Sequence, residues 1–231
     1  MNRDSKTPAA LLALARTRRM QRAMAHAYLH RNEPIPTLRG TLHFVTDTTC
    51  VTDDVAPARG HQMRVLGVAM AERVAYVVED LGDADEAPIV YRLWLDGPRA
   101  GHLVPIHAWY EQCDDPAEIR ARIAAIEPTL EPLMHATTEL WMLSTRVVQH
   151  RALRVAPPAR ESIRKFALQL KVEPVARGPS GHATVTAFMR PNATLSDVWM
   201  LTSGDAIARI TYTGIPSGVG LTKDTMVLLT G

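Results

Sequence analysis

Between residues 127 and 171 the chain reads EPTLEPLMHATTELWMLSTRVVQHRALRVAPPARESIRKFALQLK, and this stretch limits the fold more than any other. Its apolar side chains are Leu130, Leu133, Met134, Leu140, Trp141, Val147 and Val148, with Thr137 and Ser144 in the same stripe. Spacing by threes and fours is the period of a helix laid on a core, so it predicts a helix over 130–148. Pro157 and Pro158 interrupt the run, because proline has no amide proton to give a helix and restricts the residue before it. A second helix is expected beyond them, basic on one side through Arg160, Arg164 and Lys165.

The rest of the chain divides by period. Thr7 and Pro8 form a cap and a first helical residue, predicting a helix over 8–31. Its basic side is led by Arg16, Arg18, Arg19 and Arg22, and Pro34 and Pro36 close it. Strand-forming runs follow at 41–46, 63–70, 74–78, 89–95 and 103–106, joined by short turns and by an acidic loop at 80–88. Such short links leave no room for crossover helices and predict an antiparallel meander. Asp114, Asp115, Pro116 and Glu118 start a helix that runs to about residue 126. Strands are expected again at 182–189, 198–201 and 207–212, before a glycine-containing tail at 214–231 that ends in apolar Met226, Val227, Leu228 and Leu229. The expected fold class is α+β: a single domain over 1–231, with an antiparallel meander of about five to seven strands packed against three or four helices. An N-terminal basic helical arm (8–31) and a C-terminal tail (214–231) flank it, the tail docking on the body or on a partner.

Composition narrows the class of function only a little. A chain of 231 residues buries a sizeable core without disulfides. Cys50 and Cys113 are too few for a disulfide framework, which points to a reducing compartment. No apolar run is long enough for a membrane span, so a cytoplasmic protein with no membrane partner is expected. The net charge of +2 does not identify a polyanion partner. Only Lys6, Lys165, Lys171 and Lys223 are lysines, and the remainder of the 26 basic residues are arginine, the side chain whose planar fork suits phosphate and carboxylate.

Few constellations carry chemistry. His135-Ala136-Thr137 and His182-Ala183-Thr184 are two His-x-Thr tripeptides, and they resemble the signature of the 2H phosphoesterase family. That resemblance implies two histidines facing across a cleft as base and acid, with Thr137 and Thr184 holding a phosphate. Imidazoles near neutral pKa suit such an exchange of roles. The first copy departs from the family, because it falls inside the helix expected at 130–148. His102, His107, Glu111 and Cys113 lack a metal-site spacing, and Asp47, Asp53 and Asp54 around Cys50 read equally as turn residues. No metal and no cofactor are expected, and neither a P-loop nor a GxSxG elbow occurs.

From Glu139 to Arg190 the run ELWMLSTRVVQHRALRVAPPARESIRKFALQL and the later HATVTAFMR resemble a segment of uncharacterised phage and plasmid proteins. That resemblance covers about a quarter of the chain and implies a mobile-element setting, with no activity attached. The expected function is therefore a non-enzymatic binding protein of a phage or mobile element, acting on nucleic acid or on a phage or host protein. Arg16, Arg18, Arg19, Arg22, Arg160, Arg164 and Lys165 are its candidate phosphate contacts, and a homo-oligomer is a further candidate. The alternative is a phosphoesterase for cyclic or oligonucleotide phosphates, using His135, Thr137, His182 and Thr184.

Overall fold

The computed structural model of the protein describes residues 61–81, 85–111, 115–153, 163–215 and 221–231. The expected arm at 8–31, the strand at 41–46, Arg160 and both cysteines lie outside them. Eleven strands in three antiparallel sheets dominate the described chain, with one α-helix. This corrects the expected α+β class with three or four helices.

The first sheet is a four-stranded meander of β1 (Gln62–Ala69), β2 (Val74–Asp80), β3 (Ile89–Trp94) and β4 (Leu103–Pro105). Its apolar runs, the first two joined by the tight turn at Met70–Arg73, make it the part most directly dictated by local sequence. Helix α1 (Pro116–Ile126) starts where expected, with the Asp115 carboxylate accepting from the Ala117 amide and Pro116 at the first turn. The second sheet has the order β11 (Leu221–Leu229), β10 (Ala206–Ile215), β9 (Ala193–Met200), β5 (Met134–Ala136). The third is β6 (Trp141–Leu153), β7 (Ile163–Pro174) and β8 (Gly181–Phe188).

The helix expected at 130–148 is therefore strand, split between β5 and β6, and the basic helix expected after Pro158 is β7 across its described part. The reason is visible in β7. Phe166, Leu168, Leu170 and Val172 alternate with Ala167, Gln169 and Lys171, and the first set enters a core while Gln169 and Lys171 stay exposed. That is a period of two, which only a strand can satisfy.

Three apolar cores stack the layers. Leu168, Leu170, Val172, Val185 and Ala187 of the third sheet pack on Val198, Ala208, Ile210, Val227 and Leu229 of the second. On the opposite face of that second sheet, Ile207, Met226 and Leu228 meet Met63, Val77, Tyr91 and Leu93 of the meander. The far side of the meander, through Leu66, Val74 and Val90, is covered by Ile119 and Ile123 of α1. The order is thus sheet, sheet, sheet, helix, and β10 and β11 are buried on both faces. The tail segment 221–229 belongs to this body, as a strand paired along β10.

Two glycines mark places where backbones nearly touch. A Cβ on Gly67 would lie 2.7 Å from Leu130 Cβ, at the bulge of β1 where Val68 exchanges backbone hydrogen bonds with Glu131. A Cβ on Gly181 would lie 2.3 Å from the Leu228 carbonyl oxygen, beside the Ser180–Thr230 bridge that ties β8 to the end of β11.

Candidate functional site

The face of β6–β7–β8 turned away from the core is open along one end. Register places Ser144, Lys171 and His182 side by side across the three strands, and Arg146, Gln169 and Thr184 in the next outward row. All six are exposed. An antiparallel sheet covered on one side puts its polar alternates outward, and here they include Arg146 and Lys171 beside His182. Ser144, Thr145, Arg146, Gln169, Lys171 and His182 line a shallow concavity of about 440 Å3. Arg146 and His182 make no ion pair or hydrogen bond among the described residues, while Lys171 Nζ sits 2.6 Å from Glu173 Oε1. At the other end of the face Ala167 and Phe188 are buried, so the open part is the end holding these two rows.

The sequence-predicted residues are scattered by this architecture. His135 lies on β5 beside Trp199 of β9, their rings edge to face at 5.6 Å, and its Nε2 is 2.8 Å from Asp197 Oδ1. That is the side of the second sheet that meets the meander. His182 lies on the outward face of the third sheet. The whole core between those two sheets separates the rings, and packed sheets stand about 10 Å apart. The two histidines share no cleft. Thr137 precedes a short 3-10 turn at Thr138–Leu140, and Thr184 lies on the outward face of β8 near His182. Arg164 is exposed near the start of β7 and Lys165 half-buried beside it; Arg160 and the four arginines of 8–31 are outside the described residues. His102 and His107 lie in the link after β3 and beyond β4, and no group able to hold a metal forms among the described residues.

Sequence reasoning missed a buried charge cluster between the meander and the central sheet. Glu79, 1% exposed, accepts from the Tyr91 hydroxyl and is met by His61 Nδ1 at 3.0 Å and Lys223 Nζ at 3.4 Å. Burial pushes the Glu79 carboxyl up; the His61 hydrogen bond, the Lys223 charge and the Tyr91 hydroxyl outweigh it and hold the group below its ordinary value. Tyr91 is pushed up, first by burial and then by the charge of Glu79. Tyr212 is raised by burial and by Glu79 and Asp224.

Asp224, 3% exposed, accepts from the Met63 amide at 2.8 Å and from the Thr211 hydroxyl at 2.6 Å. Arg209 donates to the Met63 carbonyl at 2.9 Å and pairs with Asp197, which in turn holds His135. Side chains of β10 and β11 thus satisfy the backbone of β1 where no strand pairs with it. The cluster pins two sheets together, and at its margin Arg209 reaches a concavity of about 400 Å3 beside α1. Its sequence signal was weak: Arg209, Thr211, Lys223 and Asp224 sit as polar residues in otherwise apolar strands.

Comparison of the chain with known protein families, curated proteins and solved structures gives no match. Among the described residues no helix is long and apolar enough to cross a membrane.

Proposed function

We propose that the chain is a non-enzymatic binding protein that holds nucleic acid on the open end of its β6–β7–β8 face. One observation carries the reading: Arg146, Lys171 and His182 stand on neighbouring strands of an uncovered sheet, with Glu173 beside Lys171. Ser144, Gln169 and Thr184 lie between them and supply neutral hydrogen-bonding groups for phosphate or sugar oxygens. The resemblance of residues 139–190 to phage and plasmid proteins supports a mobile-element setting in this reading, and the shortage of cysteines for a disulfide framework supports a cytoplasmic one.

Binding of this kind releases counterions and weakens steeply with salt. Fluorescence anisotropy with labelled single-stranded DNA, duplex DNA and RNA, run from about 50 to 200 mM salt, measures the slope. Arg146→Ala and Lys171→Ala should each lower that slope by about 1 and weaken binding to all sequences alike. Absence of retention at the lowest salt, or slopes unchanged in both variants, refutes the reading. A second reading, contact with another protein, is favoured by a different observation. Met134 (71% exposed), Leu140 (59%), Met142 (53%) and Val148 (45%) are apolar side chains exposed along β5, β6 and the short turn between them.

A further inference from the structure

Strand β6 is 13 residues long and forms one edge of its sheet, pairing among the described strands only with β7. The other edges are shorter or tied: β8 is eight residues long and is bridged at its start through Ser180 to Thr230. β4 and β5 are three residues each. β11 is met at its ends by His61 and Ser180, and β1 is closed at Met63 and Val68 by Asp224, Arg209 and Glu131. On β6 no described strand takes the outward backbone groups, and exposed Met142, Val147 and Val148 lie along it. A long bare edge with apolar side chains is a template for another strand.

We infer that the occupant of this edge is β6 of a second copy of the chain, paired antiparallel about a two-fold axis between Val147 and Val148. The bulge selects that axis. The β6–β7 register shifts between Val147 and Gln149, so Ser144 and Arg146 before it, and Gln149 and Arg151 after it, all lie on the outward face. In an unbroken strand residues 146 and 149 would point to opposite faces, because side chains alternate with a period of two. With the bulge, placing Val147 opposite Val148 sets Arg146 against Gln149 and Ser144 against Arg151 on one face. On the other face Thr145 meets His150 and Leu143 meets Ala152. Apolar residues oppose apolar ones, neutral polar residues oppose the cations, and no arginine faces an arginine. Like charges opposed across strands are destabilising, and this register has none. A bulge ordinarily blunts an edge; here the two bulges meet on the axis and mate. The product is a six-stranded sheet with both open faces on one side, an isologous pairing. It does not depend on nucleic acid being the ligand.

The test is sedimentation velocity of the full chain over a concentration series, which should show a monomer–dimer equilibrium. Val147→Lys with Val148→Lys should give monomer at every concentration. Both side chains are exposed, so an unchanged circular dichroism spectrum and a melting curve matching that of the dilute, monomeric wild type separate loss of pairing from loss of fold. Gln149→Glu places a carboxylate opposite Arg146 twice per dimer and should tighten association about three- to tenfold, whereas Gln149→Arg should weaken it by a similar factor. A wild-type chain that stays monomeric, a dimer that survives the double lysine variant, or equal effects of Gln149→Glu and Gln149→Arg each overturns the inference.

Discussion

The β5–β9–β10–β11 sheet and the β6–β7–β8 sheet share one apolar interface, but their other faces have opposite surroundings. The first is covered a second time by the meander, so Ile207, Met226 and Leu228 are as enclosed as Ala208, Ile210 and Val227 on the opposite side. The third sheet is covered once, and the residues between its core positions, Gln169 and Lys171, stand in solvent. A polar group entering the middle sheet must therefore find a partner inside the protein, as Asp224 and Arg209 do. On the open sheet Arg146 and His182 carry no such obligation and remain available to a ligand. The comparison separates side chains that hold the molecule together from those that can recognise something else.

The largest effects test that separation directly. Ile210→Ala and Leu168→Ala each remove a fully buried side chain from the core between the sheets, and each should cost about 2–5 kcal/mol in chemical denaturation. In dilute solution, where the chain is monomeric, Val147→Ala on β6, already 41% exposed, should stay within about 0.5 kcal/mol of wild type. Comparable losses at Ile210 and Val147 would mean that β6 is covered as fully as β10, and the contrast would fail.

Next in size is pH. Glu79 is held below its ordinary value of 4.5, so between its folded and unfolded pKa the unfolded chain binds more protons. Its stabilisation is complete above the unfolded pKa and is lost as pH falls through the folded one. Tyr91 and Tyr212 are raised above 10.0, so their stabilisation is complete below pH 10 and is lost as pH rises above it. Denaturation followed over pH should show both flanks. Glu79→Gln should flatten the acid one. An acid flank unaltered by Glu79→Gln would detach the buried cluster from stability.

These same contrasts explain what could be read from the chain. The meander was legible because β1, β2 and β3 are apolar runs separated by polar, turn-forming residues, and α1 because Asp115, Pro116 and Glu118 are start signals needing no tertiary partner. β6 was not. Its core-side alternates Thr145 and Val147 are exposed, since the core reaches only its first residues, Trp141 and Leu143. With the alternation blurred, Leu140, Trp141, Ser144, Val147 and Val148 matched helical spacing by accident. β7 does alternate, but Arg164 and Lys165 just after two prolines imitated the basic face of a helix. The two His-x-Thr tripeptides show the same limit at the site. Identical side chains two residues apart say nothing about which sheet each will join, and His135 and His182 joined different ones. The buried cluster was illegible for a related reason: Glu79 lies in β2 and its partners lie in β3, in β11 and at residue 61. Only the packing of two sheets brings them together.

Backbone exchange should show a finer version of the comparison. Amides of β10 lie between two hydrogen-bonded neighbours and two covered faces, so they should exchange only on global unfolding. Under dilute conditions where the chain is monomeric, the outward amides of β6 should exchange orders of magnitude faster. Raising the concentration should slow those amides selectively if β6 pairs with its own copy. Equal protection of β10 and of the outward β6 amides in the dilute sample would contradict a bare edge.

The smallest expected effect is at Glu173, and it distinguishes stability from recognition. Its carboxylate pairs with Lys171 on an exposed face, where such pairs contribute about 0–1 kcal/mol because water and salt screen them. Glu173→Gln should therefore leave the denaturation midpoint nearly unchanged. It also removes the acid beside the Lys171 ammonium, so it should strengthen retention of nucleic acid at low salt. A variant that loses stability while leaving binding unaltered would assign Lys171 to the frame of the molecule and remove it from the open face as a contact.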